Sequence, residues 1–179
     1  MRNHRDIGIL VYGATGYTGR LVVDYLNRQY GFDGDVSWAM AGRNLDKLNL
    51  VRDELGIDSR IELIAADMAD QGSLKSMVER ASVVLTTVGP YQLYGNDLVA
   101  ACVSAGTDYL DLCGEPAWMK KMIDEHSAAA QNSGARIIFS CGFDSIPFDL
   151  GVFFLQQTAI ARMAKTVSRV KGRVRQMRG

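Results

Sequence analysis

With 179 residues, 47% of them apolar, the chain is long enough to bury one full-sized core, and one domain is the starting expectation. Lysine plus arginine and aspartate plus glutamate both number 20, so the overall charge gives no ground for nucleic acid or an anionic membrane as partner. Apolar runs all stop short of the length a bilayer requires, and Cys102, Cys113 and Cys141 lack the spacing of a zinc or thioredoxin-type site, which fits a reducing cytosol.

Short β-branched runs alternate with helical periodicity along the chain, the pattern of a parallel sheet covered on both faces. After a charged start without the features of a signal peptide, a first strand is expected over residues 7–12. It runs into Gly13-Ala14-Thr15-Gly16-Tyr17-Thr18-Gly19, which opens a helix over 18–29. Glycine at the first place permits a tight turn, at the second lets the backbone approach a pyrophosphate, and at the third lets helix and strand lie close. The phosphate would then meet the amide hydrogens and the positive end of the helix dipole. A bare turn is the competing reading, but strand-turn-helix is the context a dinucleotide site requires. No Lys-Ser or Lys-Thr follows, which argues against a nucleoside-triphosphate loop.

The second strand, expected over 36–41, ends in Ala41-Gly42-Arg43-Asn44 and leads into a helix over 44–55. A reader of a ribose 2′-hydroxyl would place an acid here; Arg43 stands there instead, with Lys47 one helical turn on. A guanidinium can hold a 2′-phosphate by a forked, charge-assisted contact, so NADP is the expected cofactor. A solvated surface arginine is the alternative. A third strand over 61–65 is followed by Asp67, placed near the adenine, and by a helix over 72–80. The fourth strand, over 83–88, delivers Val88-Gly89-Pro90 as the wall beside the nicotinamide arm, before a helix over 96–105.

A fifth strand over 109–112 leads through Cys113-Gly114-Glu115-Pro116 into a helix over 116–132, on which Trp118, Met119, Met122, Ile123 and His126 recur as a sheet-facing stripe. Pro116 suits a first helical turn, and Gly31, Gly56, Gly106 and Gly134 stand where left-handed caps belong. A sixth strand over 137–141 precedes Gly142-Phe143-Asp144-Ser145. Tyr91, Tyr94, Glu115, Phe143 and Asp144 are the substrate-cleft candidates at these strand ends, each with a plain alternative as a turn or cap residue.

One further helix is expected over 146–165, rich in Val152, Phe153, Phe154 and Leu155, either docked on its own domain or built for a second one. Arg162, Lys165, Arg169, Lys171, Arg173, Arg175 and Arg178 follow with no acid after Asp149. A basic arm for RNA is the sharper alternative for this tail, but it lacks interleaved aromatics. The doubly wound α/β domain is therefore placed at 1–164, with 165–179 as the start of a crossing into a second domain.

Some chemistries lack their parts. Only His4 and His126 are present, one near an end and one on an apolar stripe, so metal-assisted and serine-type hydrolysis have no constellation and no metal is expected. No tyrosine is followed four residues later by lysine, which removes the catalytic pair of short-chain dehydrogenases. No catalytic residue can be named. The thiols of Cys113 and Cys141 read as structural.

The blocks GATGYTG, WAMAGR, VGPYQLYG, DYLDLCGEP and GFDSIPFDLG, in that order, resemble the saccharopine dehydrogenase-like oxidoreductases from about residue 7 to about 155. The resemblance implies that Gly13, Gly16, Gly19, Arg43 and Gly89 bind NADP, that GFDSIP borders the active cleft, and that a second α+β domain follows. The glycine spacing differs from the Gly-x-Gly-x-x-Gly of saccharopine-forming members, so the likeness points to the enoyl-reductase-like branch. A reductase of C=C or C=N bonds acting on a small-molecule or lipid-linked substrate is the implied activity, and an NADP-sensing regulator without turnover is the alternative. A homo-oligomer formed through a second domain, and membrane association through lipid substrates of an otherwise cytoplasmic protein, stay open.

Overall fold

The computed structural model describes residues 5–176; His4 and Arg178 lie outside the described residues. Strands β1 (Ile7–Tyr12), β2 (Trp38–Gly42), β3 (Glu62–Ala65), β4 (Ala81–Thr86), β5 (Asp108–Leu110) and β6 (Ile137–Ile138) form one parallel sheet in the order β3-β2-β1-β4-β5-β6. They alternate with helices α1 (Tyr17–Gln29), α2 (Leu45–Glu54), α3 (Gln71–Arg80), α4 (Tyr91–Ala105), α5 (Pro116–Ser133) and α6 (Ile146–Met163). This is a doubly wound, Rossmann-like α/β fold. The chain enters at the centre of the sheet, and its strand order reverses between β1 and β4, where the loops diverge and leave a crevice.

The strands are apolar because both faces are covered. On one face Leu10, Val84 and Tyr109 are fully buried with Leu74 and Met77 of α3, Leu98 and Cys102 of α4, and Met122 of α5. On the other, Val11 and Met40 pack with Val23 of α1 and Leu48 of α2. That second cover thins outward: Val11 is buried and its neighbours across the sheet, Leu85 and Leu110, are half-buried, while Ile138 on β6 is 47% exposed.

Several details depart from expectation or decide an open one: β6 stops at Ile138 rather than at 141, and β4 at Thr86 rather than at 88. Helix α4 begins at Tyr91, five residues before the expected start at Asn96. Gly95 sits inside it, because the six-membered ring of Trp118 lies where a Cβ would be, 2.4 Å away. On α5, Trp118 and Met122 are buried and Met119 and His126 half-buried, but Ile123 is 49% exposed, since it follows Met122 by about 100° of helix rotation. Helix α6 does not dock on its own domain. Ala159 is its one buried residue, and Phe153 and Phe154 are 60% and 68% exposed. The tail folds back along α6 instead: the Gln156 amide donates to the Val167 carbonyl and accepts from the Val167 N–H, both at 2.9 Å, and Gly172 lies against Phe148.

Candidate functional site

The glycine turn between β1 and α1 is fixed by sterics and by the neighbouring strand. Gly13 has a φ of +89°, where L side chains are strained, and a Cβ on it would meet Val88 Cγ2 at 2.7 Å. A Cβ on Gly19 would lie 2.1 Å from the Gly13 carbonyl oxygen, so this residue permits the close crossing of α1 over the turn. Gly16 has more room on its protein side, the nearest atom being 3.4 Å from a built Cβ. The N–H groups of Gly13 and Ala14 both donate to the Ala41 carbonyl, at 3.0 and 3.2 Å, which ties the turn to β2. The N-terminus of α1 carries no side-chain cap. Its orphan amides are therefore available to an anion.

A cleft of about 640 Å³ opens beside this turn at the carboxyl ends of β1, β2 and β4. Of the expected cofactor residues, Gly13, Thr15, Gly16, Gly42, Arg43, Asp67, Val88 and Gly89 line it. Ala14, Tyr17, Thr18, Gly19, Asn44, Lys47 and Pro90 do not. Ala14 is buried in the core beneath, and Tyr17 points to solvent with 84% exposure. Asn44 caps α2, its Oδ1 accepting from the Lys47 N–H at 2.9 Å, and the Lys47 side chain stands outside the lining. Arg43 is exposed, and its guanidinium has no hydrogen-bond or ion-pair partner among the described residues. Asp67 is partly spent, one carboxylate oxygen accepting from the Ala69 N–H at 2.9 Å.

Tyr12, which the sequence did not single out, floors the cleft. Its hydroxyl donates to the Ala66 carbonyl at 3.1 Å and so pins the end of β1 to the loop after β3. Burial, and then the nearby Asp67 carboxylate, push its pKa up to about 12 against the opposing pull of Arg43, so it remains neutral at ordinary pH. Met68, Leu93 and Asp97 also line the cleft and were not anticipated. They come from the loop after β3 and the first turns of α4, whose start the sequence misplaced.

Of the five substrate-cleft candidates only Tyr94 lines this cleft. Tyr91 is turned inward, 6% exposed, with its ring 5.6 Å from that of Trp118 and its hydroxyl donating to the Thr86 carbonyl. Burial raises its pKa. The two carboxylate oxygens of Glu115 accept from the N–H groups of Tyr91 and Gln92 at 2.8 and 2.9 Å, which makes Glu115 a cap for α4. Phe143 and Asp144 lie exposed on the loop before α6, away from the lining.

Behind that loop sits Asp111, 2% exposed. Its Oδ1 accepts from the N–H groups of Cys113 and Ser140, at 3.0 and 2.8 Å, and its Oδ2 from the Tyr109 hydroxyl at 2.9 Å. Burial raises its pKa despite these bonds. Ser140 is held at a φ of +59° and its hydroxyl donates to the Cys113 carbonyl at 2.7 Å, so the loops after β5 and β6 are laced together. Burial pushes the Cys113 thiol up to about 11 and raises that of Cys102, which keeps both protonated. Among the described residues no group of three or more His, Cys, Asp or Glu could hold a metal ion, and no helix is long and apolar enough to cross a membrane.

Comparison with known proteins follows the same residues. The model of the saccharopine dehydrogenase NADP binding domain matches residues 9–138. A trans-acting enoyl reductase of Mycobacterium ulcerans is 46% identical over 156 residues, 87% of this chain and 37% of that protein. A lipid droplet localized protein of Caenorhabditis elegans is 45% identical over 154 residues, 83% of this chain and 36% of that one. The apo structure of the L-Glu-forming saccharopine dehydrogenase of Saccharomyces cerevisiae superposes with a TM-score of 0.63 at 19% identity, over 84% of this chain and 31% of that one. This chain thus spans little more than a third of the length of these curated relatives.

Proposed function

Since the chain belongs to the saccharopine dehydrogenase NADP-binding domain family, with NADP as its cofactor, we propose that it is the cofactor half of a reductase that delivers hydride to a C=C or C=N bond. The observation that carries this reading is the Arg43 guanidinium, unpartnered among the described residues, on the lining of a cleft whose other side is the glycine turn. Bound NADPH would supply the hydride. The protein's own part is to hold the diphosphate at the N-terminus of α1, the 2′-phosphate at Arg43 and the nicotinamide arm along Val88 and Gly89. The naming of relatives as trans-acting enoyl reductases favours an enoyl acceptor, and a lipid-droplet relative supports a lipid-linked one.

Catalysis also needs an acceptor held about 3 to 3.5 Å from the donor carbon and shielded from water. The cleft described here is one wall. Helix α6 and the tail against it form an apolar, basic-edged arm suited to seating a second, substrate-holding domain, so we place the domain crossing at residues 165–179. The test is NADPH oxidation with an enoyl thioester, comparing this chain with a polypeptide of the relatives' full length that begins with the same residues. Turnover by the longer protein alone is expected, because lost proximity is worth roughly 7 to 11 kcal/mol of barrier. Comparable turnover by this chain would sink the reading of it as half a site.

A second reading, a sensor that binds NADP without turnover, is favoured by one observation. Glu115, Tyr91 and Asp111, ionisable groups on the loops after β4 and β5, are all engaged with backbone. Tight NADPH binding by the longer protein, with no oxidation across enoyl and imine acceptors, would select it.

A further inference from the structure

Helices α1 to α4 all begin at the edge of the cleft, and their N-termini are finished in different ways. The N-terminus of α2 is closed by Asn44 and that of α3 by Asp70, each accepting from a helix amide at 2.9 Å. Helix α4 starts after Pro90, which has no side-chain oxygen to offer. Its first two amides are taken by Glu115, from the loop after β5. Glu115 is itself the N-cap residue of α5 but gives that helix no side-chain bond; Pro116 at the first turn leaves one amide fewer to satisfy there. The carboxylate is spent across the site rather than locally. Among the described residues, only α1 of the four keeps an N-terminus without a side-chain oxygen.

An uncapped helix N-terminus attracts anions, through its free N–H groups and its dipole. Two such ends on one cleft would compete for the cofactor's phosphates. We propose that Glu115 is a positioning residue for the cofactor: its bidentate carboxylate fixes the wall formed by residues 88–90 and withholds the α4 N-terminus, so that the diphosphate has the α1 end alone. This rests on the NADP reading of the cleft. Glu115 touches no cofactor atom in this scheme; it acts through the backbone of Tyr91 and Gln92.

The test uses the full chain with Glu115→Ala and the milder Glu115→Gln, which keeps the size but turns an amide donor toward one of the helix N–H groups. Binding of NADPH and of 2′,5′-ADP, which lacks the nicotinamide arm, is titrated for each, with and without sodium acetate. NADPH affinity should fall about tenfold in both variants. The affinity for 2′,5′-ADP should stay within about twofold, because its phosphates meet the glycine turn and Arg43. Acetate should restore NADPH affinity in the alanine variant by refilling the vacated helix end. A cap with only a structural role would lower the melting temperature, weaken both ligands alike and show no rescue, and that result would overturn the proposal. Should Glu115→Ala fail to fold, the ratio of the two ligands in Glu115→Gln decides. If the unaltered chain binds neither ligand, the NADP reading itself has failed and the proposal falls with it.

Discussion

Asp111 shows how much of this domain rests on single buried polar groups. Replacing it with alanine would strand the N–H groups of Cys113 and Ser140 and the Tyr109 hydroxyl in the interior. At about 1 to 3 kcal/mol for each unsatisfied group, a loss of several kcal/mol is expected for Asp111→Ala. Asp111→Asn keeps an acceptor for the two amides and should cost far less. The pair also has a pH signature. Burial raises the folded-state pKa of Asp111, so its proton is held more tightly in the fold than in the unfolded chain. Its stabilising contribution is complete below the unfolded value of about 3.9 and is lost as pH rises through the higher folded value. Urea denaturation of wild type and Asp111→Asn across that window should show the wild type gaining on the variant as pH falls. A wild type that loses ground on acidification would mean the carboxylate is stabilised by its hydrogen bonds more than it is penalised by burial. Asp111 was illegible in the sequence because its partners lie at Ser140 as well as nearby. Gly13 and Gly19 were legible because the atoms that exclude a side chain there belong to the turn itself or to the strand end beside it.

At the level of elements, the same distinction between local and remote causes separates what could be read from what could not. The left-handed caps at Gly31, Gly56, Gly106 and Gly134 have φ between +59° and +77°, as local chemistry dictates. The start of α4 was misplaced because its cap arrives from Glu115, and because Gly95 looks like a breaker until Trp118 is found on it. Periodicity identified α6 as apolar but carried no information on what it faces. Because Ala159 is its one buried residue and the lining of the cleft ends at Asp97, removing residues 146–179 should leave the remainder folded. NADPH affinity should change by no more than about threefold, the usual scale for changes away from a site. A circular-dichroism melt and a fluorescence titration of the shortened chain check this. Loss of the cooperative transition would show that α6 does stabilise the sheet.

For the molecule as a whole, the alternation of strand and helix was sufficient to predict the doubly wound sheet, since each turn of the pattern needs only its neighbours. The cleft was partly legible for the same reason: strand order places the ends of β1, β2 and β4 together, and residues at those ends line it. Side-chain direction was not legible, which is why Tyr91 and Glu115 turn out to brace the wall rather than face a ligand.

The most direct measurement is a calorimetric titration of wild type and Arg43→Ala with NADPH and NADH. Wild type should bind one NADPH per chain and prefer it to NADH, and the variant should lose that preference. A charge-assisted contact is worth roughly 1.5 to 3 kcal/mol, so Arg43→Ala should weaken NADPH by about tenfold to a hundredfold and leave NADH nearly unchanged. Equal weakening of the two cofactors, or no saturable binding of either, would contradict an NADP cleft organised around Arg43.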